Sequence, residues 1–264
     1  MRFLLIGLLL IGWASIASAF PQEDCGEKRC TDCHSLTKEE AGFLLGAGAD
    51  RVLKVDQAEM PGVWAVEVEK SGRKYPVYIN YSKSHLLRGQ VVRLKDGENL
   101  TKLRMASLNR VDVSRIPLED ALIIGDPQAS KKVVVFTDPQ CHFCAKLHRE
   151  LPEVVARDPN IAFYIKLLPL AMHPDAYHIA KSIVCNRSME MLENSFDGKS
   201  VPPPLCRAEA VDETLALARK LGIRSTPTLV LPDGRPFSGY KKADQLLNLL
   251  DSSEIDSSVE PGKR

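Results

Sequence analysis

Residues 133–144, reading Val-Val-Val-Phe-Thr-Asp-Pro-Gln-Cys-His-Phe-Cys, constrain this chain more than any other stretch. The apolar β-type run Val133 to Phe136 ends in a short turn that delivers Cys141 and Cys144 in C-x-x-C spacing. A helical pattern follows at once, with Leu147, Leu151, Val154 and Val155 on one face. A strand feeding a C-x-x-C at a helix start sets Cys141 at the helix N-terminus, where backbone N–H groups and the helix dipole stabilise a thiolate. Cys144 lies one helical turn on and faces the same bond. This arrangement suits thiol–disulfide exchange: Cys141 attacks a disulfide sulfur, and Cys144 resolves the mixed disulfide. His142 is a polar neighbour that would stabilise the thiolate further, and Phe143 offers a substrate an apolar contact. The competing reading is half of a zinc site, but no second C-x-x-C or paired histidine follows at metal spacing in this half of the chain.

The elements after this stretch extend the pattern. Residues 161–168 read as a buried strand, 174–197 as helical, and 208–221 as a further helix. Pro152 falls inside the cysteine helix and is expected to kink it. Ser225-Thr226-Pro227 precedes a strand over 228–231, Pro232-Asp233-Gly234 is a turn, and 235–240 is an edge strand. Ala243, Leu246, Leu247 and Leu250 share one face of a last helix. This is the element order of an α/β thioredoxin fold with a helical insertion, with helices on both faces of a central sheet. Thr226-Pro227 stands before a strand, where a proline needs no N–H and can take a cis bond, an ordinary trans turn being the other reading. The residue before it would offer its backbone to an incoming peptide. Cys185 and Cys206 flank the insertion. A bond between them would close a loop of about 20 residues and stabilise it by roughly 3 kcal/mol; a structural bridge is preferred to a second redox pair.

The first half reads differently. Residues 1–19 have the pattern of a secretory signal: Arg2, an apolar run from Phe3 to Trp13, and Ala17-Ser18-Ala19 as a small-residue cleavage site. The apolar run is shorter than the ~20 residues that span a bilayer. Residues 20–36 form a cysteine-rich leader. Residues 37–112 read as a small α+β domain. Thr37-x-x-Glu40 is a capping box, with Phe43, Leu44 and Leu45 as an apolar side. Trp64, Val66 and Val68 alternate with Ala65, Glu67 and Glu69, which predicts a strand with one wet face. Further strands are expected over 75–81 and 86–94, and a helix over 99–109. Residues 113–130 read as a linker, 131–251 as the cysteine-bearing domain, and 252–264 as a polar, disordered tail.

Charge and cysteines bound the partners. A cleaved signal takes Arg2 out of the 35 basic residues and balances the rest against 34 acidic ones. Near-neutrality argues against a nucleic-acid partner held by charge. All seven cysteines follow the signal, at 25, 30, 33, 141, 144, 185 and 206. An exported chain meets an oxidising compartment, which makes disulfides expected, and the odd count leaves at least one cysteine free, paired between chains or bound to something else.

Phe136-Thr137-Asp138 before the cysteines and Cys144-Ala145-Lys146-Leu147-His148 after them resemble the periplasmic disulfide isomerase family of DsbC and DsbG. So do Ile183-Val184-Cys185, Gly198-Lys199-Ser200-Val201, Cys206 and Thr226-Pro227. The first half resembles it more weakly, through Tyr75 to Ile79 and His85-Leu86-Leu87-Arg88-Gly89. The resemblance implies a V-shaped homodimer paired through the N-terminal domains. A linker helix would lead to each thioredoxin domain, and an apolar cleft would hold misfolded exported proteins with wrong disulfides. It also implies a DsbD-type membrane reductase as partner. It assigns Cys141 as nucleophile, Cys144 as resolving thiol, Cys185–Cys206 as structural disulfide and Pro227 as cis-proline. No cofactor is required for that activity. The dipeptide His142-Phe143 departs from the isomerase's Gly-Tyr, so a thiol oxidase or a cytochrome-maturation reductase is the alternative.

The leader also departs from the family. Cys30-Thr31-Asp32-Cys33-His34 has the spacing of covalent c-type haem attachment at Cys30 and Cys33, with His34 as axial ligand. A local Cys30–Cys33 disulfide, an auxiliary redox pair and an inter-subunit bridge through Cys25 are the other readings. A haem would make the chain an electron-transfer protein with a thioredoxin domain attached. A holdase chaperone using the dimer cleft is a further class.

Overall fold

The computed structural model, which describes residues 34–251, starts its first helix at Thr37, whose hydroxyl accepts the Glu40 N–H at 3.1 Å. Helix α1 (Lys38–Leu45) ends at Gly46, which takes φ +48°. The helix buries Ala41, while Phe43 is 87% exposed, so the apolar side expected at Phe43 to Leu45 does not face a core.

Strands β1 (Arg51–Gln57), β2 (Val63–Lys70), β3 (Arg73–Asn80) and β4 (Leu86–Leu87) form an antiparallel sheet in that order. The single strand expected over 86–94 is two fragments: β4 at the sheet edge, and β5 (Val92–Arg93), which pairs with β6 (Glu98–Asn99). The backbone between them is spent elsewhere. Val91 N–H donates to Thr101 Oγ1 at 2.9 Å, and Val91 O accepts the Leu100 N–H at 2.9 Å, so Val91 serves the start of helix α2 (Leu100–Leu108). The face of β2 expected to be wet is covered by that helix. Arg104 reaches Asp56 and Glu67 at 3.2 Å and Glu59 at 2.9 Å, and the Tyr78 and Thr101 hydroxyls meet at 2.6 Å. Alternation reports which side chains are polar; it does not report that a helix brings them a counter-charge.

The stretch read as a linker holds a 3₁₀ turn (Val113–Arg115) and strand β7 (Leu122–Ile124), which joins a second sheet. No long linker helix stands there; the helix before the second half is α2, whose Leu100 and Leu103 share a core cluster with Phe237. Val111 N–H donates to Gly234 O at 2.9 Å. Gly234 has φ +86°, and a Cβ there would lie 2.3 Å from the Val111 carbonyl oxygen. Gly234→Ala is therefore expected to cost about 2–4 kcal/mol, from backbone strain plus overlap with main chain that cannot swing away. Urea unfolding measures this, and a loss below about 0.5 kcal/mol, the scale of a neutral surface change, would contradict the reading.

The second sheet has the order β11-β10-β8-β9-β7, with β8 (Lys131–Thr137), β9 (Ile161–Leu167), β10 (Thr228–Val230) and β11 (Pro236–Ser238). β8 and β9 run parallel, while β7, β10 and β11 pair antiparallel with their neighbours. Because side chains alternate along a strand, β8 feeds two cores. Val133 and Val135 pack with Leu147, Leu151 and Val154 of helix α3 (His142–Arg157) and with Leu246 and Leu249 of a terminal helix (Ala243–Asp251). Val134 and Phe136 pack with Ile116, Ala218 and Ile223 on the other side. α3 runs on through Pro152 to Arg157. The helical stretch expected over 174–197 is two helices, α4 (Ala176–Asn186) and α5 (Met189–Phe196). Arg187 at φ +47° breaks the run, and Ser188 Oγ caps α5 by accepting the Met191 N–H at 3.1 Å. Helix α6 (Glu209–Lys220) follows, and Ala243–Asp251 is α7.

Candidate active site

β8 ends at Thr137, and the turn 138–140 carries the chain to Cys141, the N-cap residue of α3. Both thiols are free and buried, Cys144 almost completely. The Cys141 thiol is held down to about 5, well below the usual cysteine value. The largest cause is the hydrogen bond from Cys144, and the backbone N–H groups of Cys144 and Phe143 and the side chain of Thr226 add to it against the opposing effect of burial. The Cys144 thiol is pushed strongly upward, first by burial and then by its bond to Cys141. The site thus holds one thiolate and one protonated thiol at neutral pH. His142 is exposed, packs edge-on against Phe143 at 5.8 Å between ring centroids, and is not among the main causes of the Cys141 shift. Phe143 is 56% exposed beside the thiols, with the Lys146 ammonium 5.8 Å from its ring centre.

The loop before β10 closes over this pair. Thr226-Pro227 is cis, and the Cys141 thiol donates to Thr226 O at 3.6 Å when protonated. Gly239 N–H donates to Pro227 O at 2.8 Å, which fixes the loop against β11. Cys185 on α4 and Cys206 before α6 form a disulfide with 5.7 Å between Cα atoms, closing the insertion that contains α5. The structure therefore brings Cys141, Cys144, Phe143, Thr226 and Pro227 together. Cys25, Cys30 and Cys33 lie outside the described residues, and His34 is exposed.

Three residues with no role in the sequence reading support the turn. Asp138 is fully buried, and its carboxylate accepts from Gln140 N–H, Leu170 N–H and His173 Nδ1. Ser195 Oγ of α5 donates to Pro139 O at 2.9 Å. Asp138 sits in the motif itself, whereas His173 and Ser195 carry no local signal.

A family model described as a thioredoxin-like domain matches residues 118–254, just over half of the chain. The chain belongs to the thioredoxin-like family. Its curated relatives make it a DsbC-like member of the thioredoxin superfamily. The probable thiol:disulfide interchange protein DsbC of Bordetella avium (strain 197N) is 27% identical over 186 residues, covering 70% of this chain and 64% of the relative. Thiol:disulfide interchange protein DsbC of Salmonella typhimurium is 26% identical over 186 residues, covering 69% of this chain and 75% of the relative. The chain spans less than two thirds of the length of the Bordetella relatives it matches, 64% in one and 60% in another. Among solved structures, a disulfide interchange protein from Neisseria gonorrhoeae is 32% identical with a TM-score of 0.44, covering 51% of this chain and 96% of that one. The second half is thus a thioredoxin-like domain with a helical insertion, preceded by a separate sheet and its helices.

Proposed function

We propose that this protein is an exported thiol–disulfide isomerase that rearranges wrong disulfides in secreted proteins through Cys141 and Cys144. The observation that carries the reading is the division of labour between the thiols: a Cys141 thiolate under the cis Thr226-Pro227 loop, and a buried, protonated Cys144 one turn behind it. The Cys141 thiolate attacks one sulfur of a substrate disulfide and forms a mixed disulfide, and the other substrate sulfur leaves as a thiolate. That thiolate attacks a different substrate disulfide, and a returning substrate thiolate expels Cys141, so no net electrons are transferred. If the substrate stalls, Cys144 loses its proton and attacks Cys141 Sγ. The substrate then leaves as a thiolate that takes up a proton, and the enzyme leaves oxidised, to be reduced by a DsbD-type membrane dithiol. The names of its DsbC relatives support this assignment.

The same reading makes the protein a periplasmic homodimer. No described helix is long and apolar enough to cross a membrane. The edge strand β4 leaves Leu86 and Leu87 exposed, with Val92 and Leu94 also exposed nearby in sequence, as a surface for a second copy. The depressed Cys141 thiol favours a second reading, a thiol oxidase, because stabilising the reduced form makes a dithiol pair more oxidising. The redox state of Cys141 and Cys144 in cells separates the two: mostly reduced for an isomerase, mostly oxidised for an oxidase. In either case Cys144→Ser is expected to accumulate mixed disulfides with exported proteins, visible as thiol-sensitive high-mass bands on non-reducing gels. Absence of such bands beside a normally folded variant would count against the exchange site.

A further inference from the structure

The residue between β8 and the two cysteines is tied to both of them. Asp138 O accepts the Cys141 N–H at 3.1 Å, and Asp138 N–H donates to Cys144 Sγ at 3.4 Å. Any rotation of this one residue moves the cysteine loop and withdraws a donor from the second sulfur. Its conformation is fixed through its side chain. The carboxylate is fully buried and takes Gln140 N–H at 2.8 Å on one oxygen. The other oxygen takes Leu170 N–H at 2.6 Å and His173 Nδ1–H at 2.9 Å. Leu170 and His173 belong to the loop after β9 and are themselves joined, His173 N–H to Leu170 O at 2.9 Å. A loop anchor alone would not need a residue whose own amide addresses a reactive sulfur. Cys144 is otherwise poorly placed to ionise, because burial holds its proton on.

We infer that Asp138 and His173 form a positioning pair for the resolving step, holding the Asp138 amide on Cys144 Sγ as that thiol becomes the attacking thiolate. This deepens the exchange reading above and rests on it. In the step, Cys144 gives its proton to solvent and its thiolate attacks Cys141 Sγ. The Cys141–Cys144 bond forms as the Cys141–substrate bond breaks, and the substrate sulfur takes the electron pair and a proton. The amide bond offsets negative charge on Cys144 in that transition state. In the first attack Cys141 is the nucleophile and Cys144 stays a thiol, so the amide bond bears on that step only indirectly.

The pair therefore sets how long a substrate stays bound before it is released unrearranged. The test uses the full chain and a fluorescent peptide carrying a disulfide. Attack is read as mixed-disulfide formation in the Cys144→Ser background, and resolution as peptide release in a single turnover with Cys144 present. His173 is a quarter exposed, so its variants should fold. His173→Ala is expected to slow resolution roughly tenfold, equivalent to about 1.4 kcal/mol of barrier, and to slow attack much less. His173→Asn, whose amide nitrogen can take the place of Nδ1, should restore most of the rate. Equal losses in attack and resolution, no loss in either, or no rescue by asparagine would overturn the inference while leaving the exchange site standing. Failure of the unsubstituted protein to form any mixed disulfide would overturn both.

Discussion

Cys141→Ser is expected to abolish refolding of scrambled multi-disulfide substrates, with a loss on the order of a thousandfold or more, because a serine hydroxyl forms no nucleophile comparable to a thiolate at neutral pH. The size of the effect follows from how the site is built. The hydrogen bond from Cys144, the Phe143 and Cys144 amides and Thr226 all converge on the Cys141 sulfur, whereas burial and the bond to Cys141 drive the Cys144 thiol the other way and outweigh the opposing effect of Asp138, Thr137 and Thr226 there. No second described thiol can take over, since Cys185 and Cys206 are bonded to each other. Cys144→Ser should behave differently: attack persists and the mixed disulfide accumulates. A Cys141→Ser protein that still isomerised normally would end the proposed function.

The second large effect is on stability. Cys141 is lowered to about 5 in the folded reduced protein, whereas an unfolded cysteine titrates near ~8.5. A depressed folded value means the unfolded state holds the proton between those limits, so folding gains stability as pH rises through this window and loses it as pH falls toward 5. The slope is about 1.4 kcal/mol per pH unit, and the whole gain is on the order of 5 kcal/mol, complete only above the unfolded value. Cys144 stays protonated in the folded state and adds nothing below about 8.5, the unfolded cysteine value. The oxidised protein has no thiol here to titrate. Denaturant unfolding of both forms from pH 5 to 8.5 should show the reduced form gaining on the oxidised form steadily with pH. A difference that stays flat would mean that Cys141 is not held as a thiolate.

Local periodicity revealed most of the second half. The apolar run of β8, the immediate switch to helical spacing, and the order strand, helix, strand, then a Thr-Pro loop, two strands and a helix were all readable, because each depends on neighbours a few residues apart. The first half was less legible. The 86–94 run looked like one strand, yet Val91 gives its backbone to α2. The face of β2 read as wet carries Glu67 to Arg104, 37 residues away. The split of the 174–197 helical stretch depends on one residue, Arg187, entering a left-handed conformation that its type does not announce.

The site divides in the same way. The sequence by itself determined that Cys141 stands at a helix N-terminus with Cys144 one turn behind, because strand, turn and helix there follow from adjacent side chains. Only the tertiary structure decided what surrounds those sulfurs. Thr226 arrives from 85 residues away to meet Cys141, and His173 from 35 residues away to meet Asp138. Ser195 comes from the insertion, 56 residues from Pro139. The hydrogen bonds and burial that separate the two thiols, one ionised and one not, arise when distant backbone and side chains close around a single point, and one-dimensional spacing does not encode that.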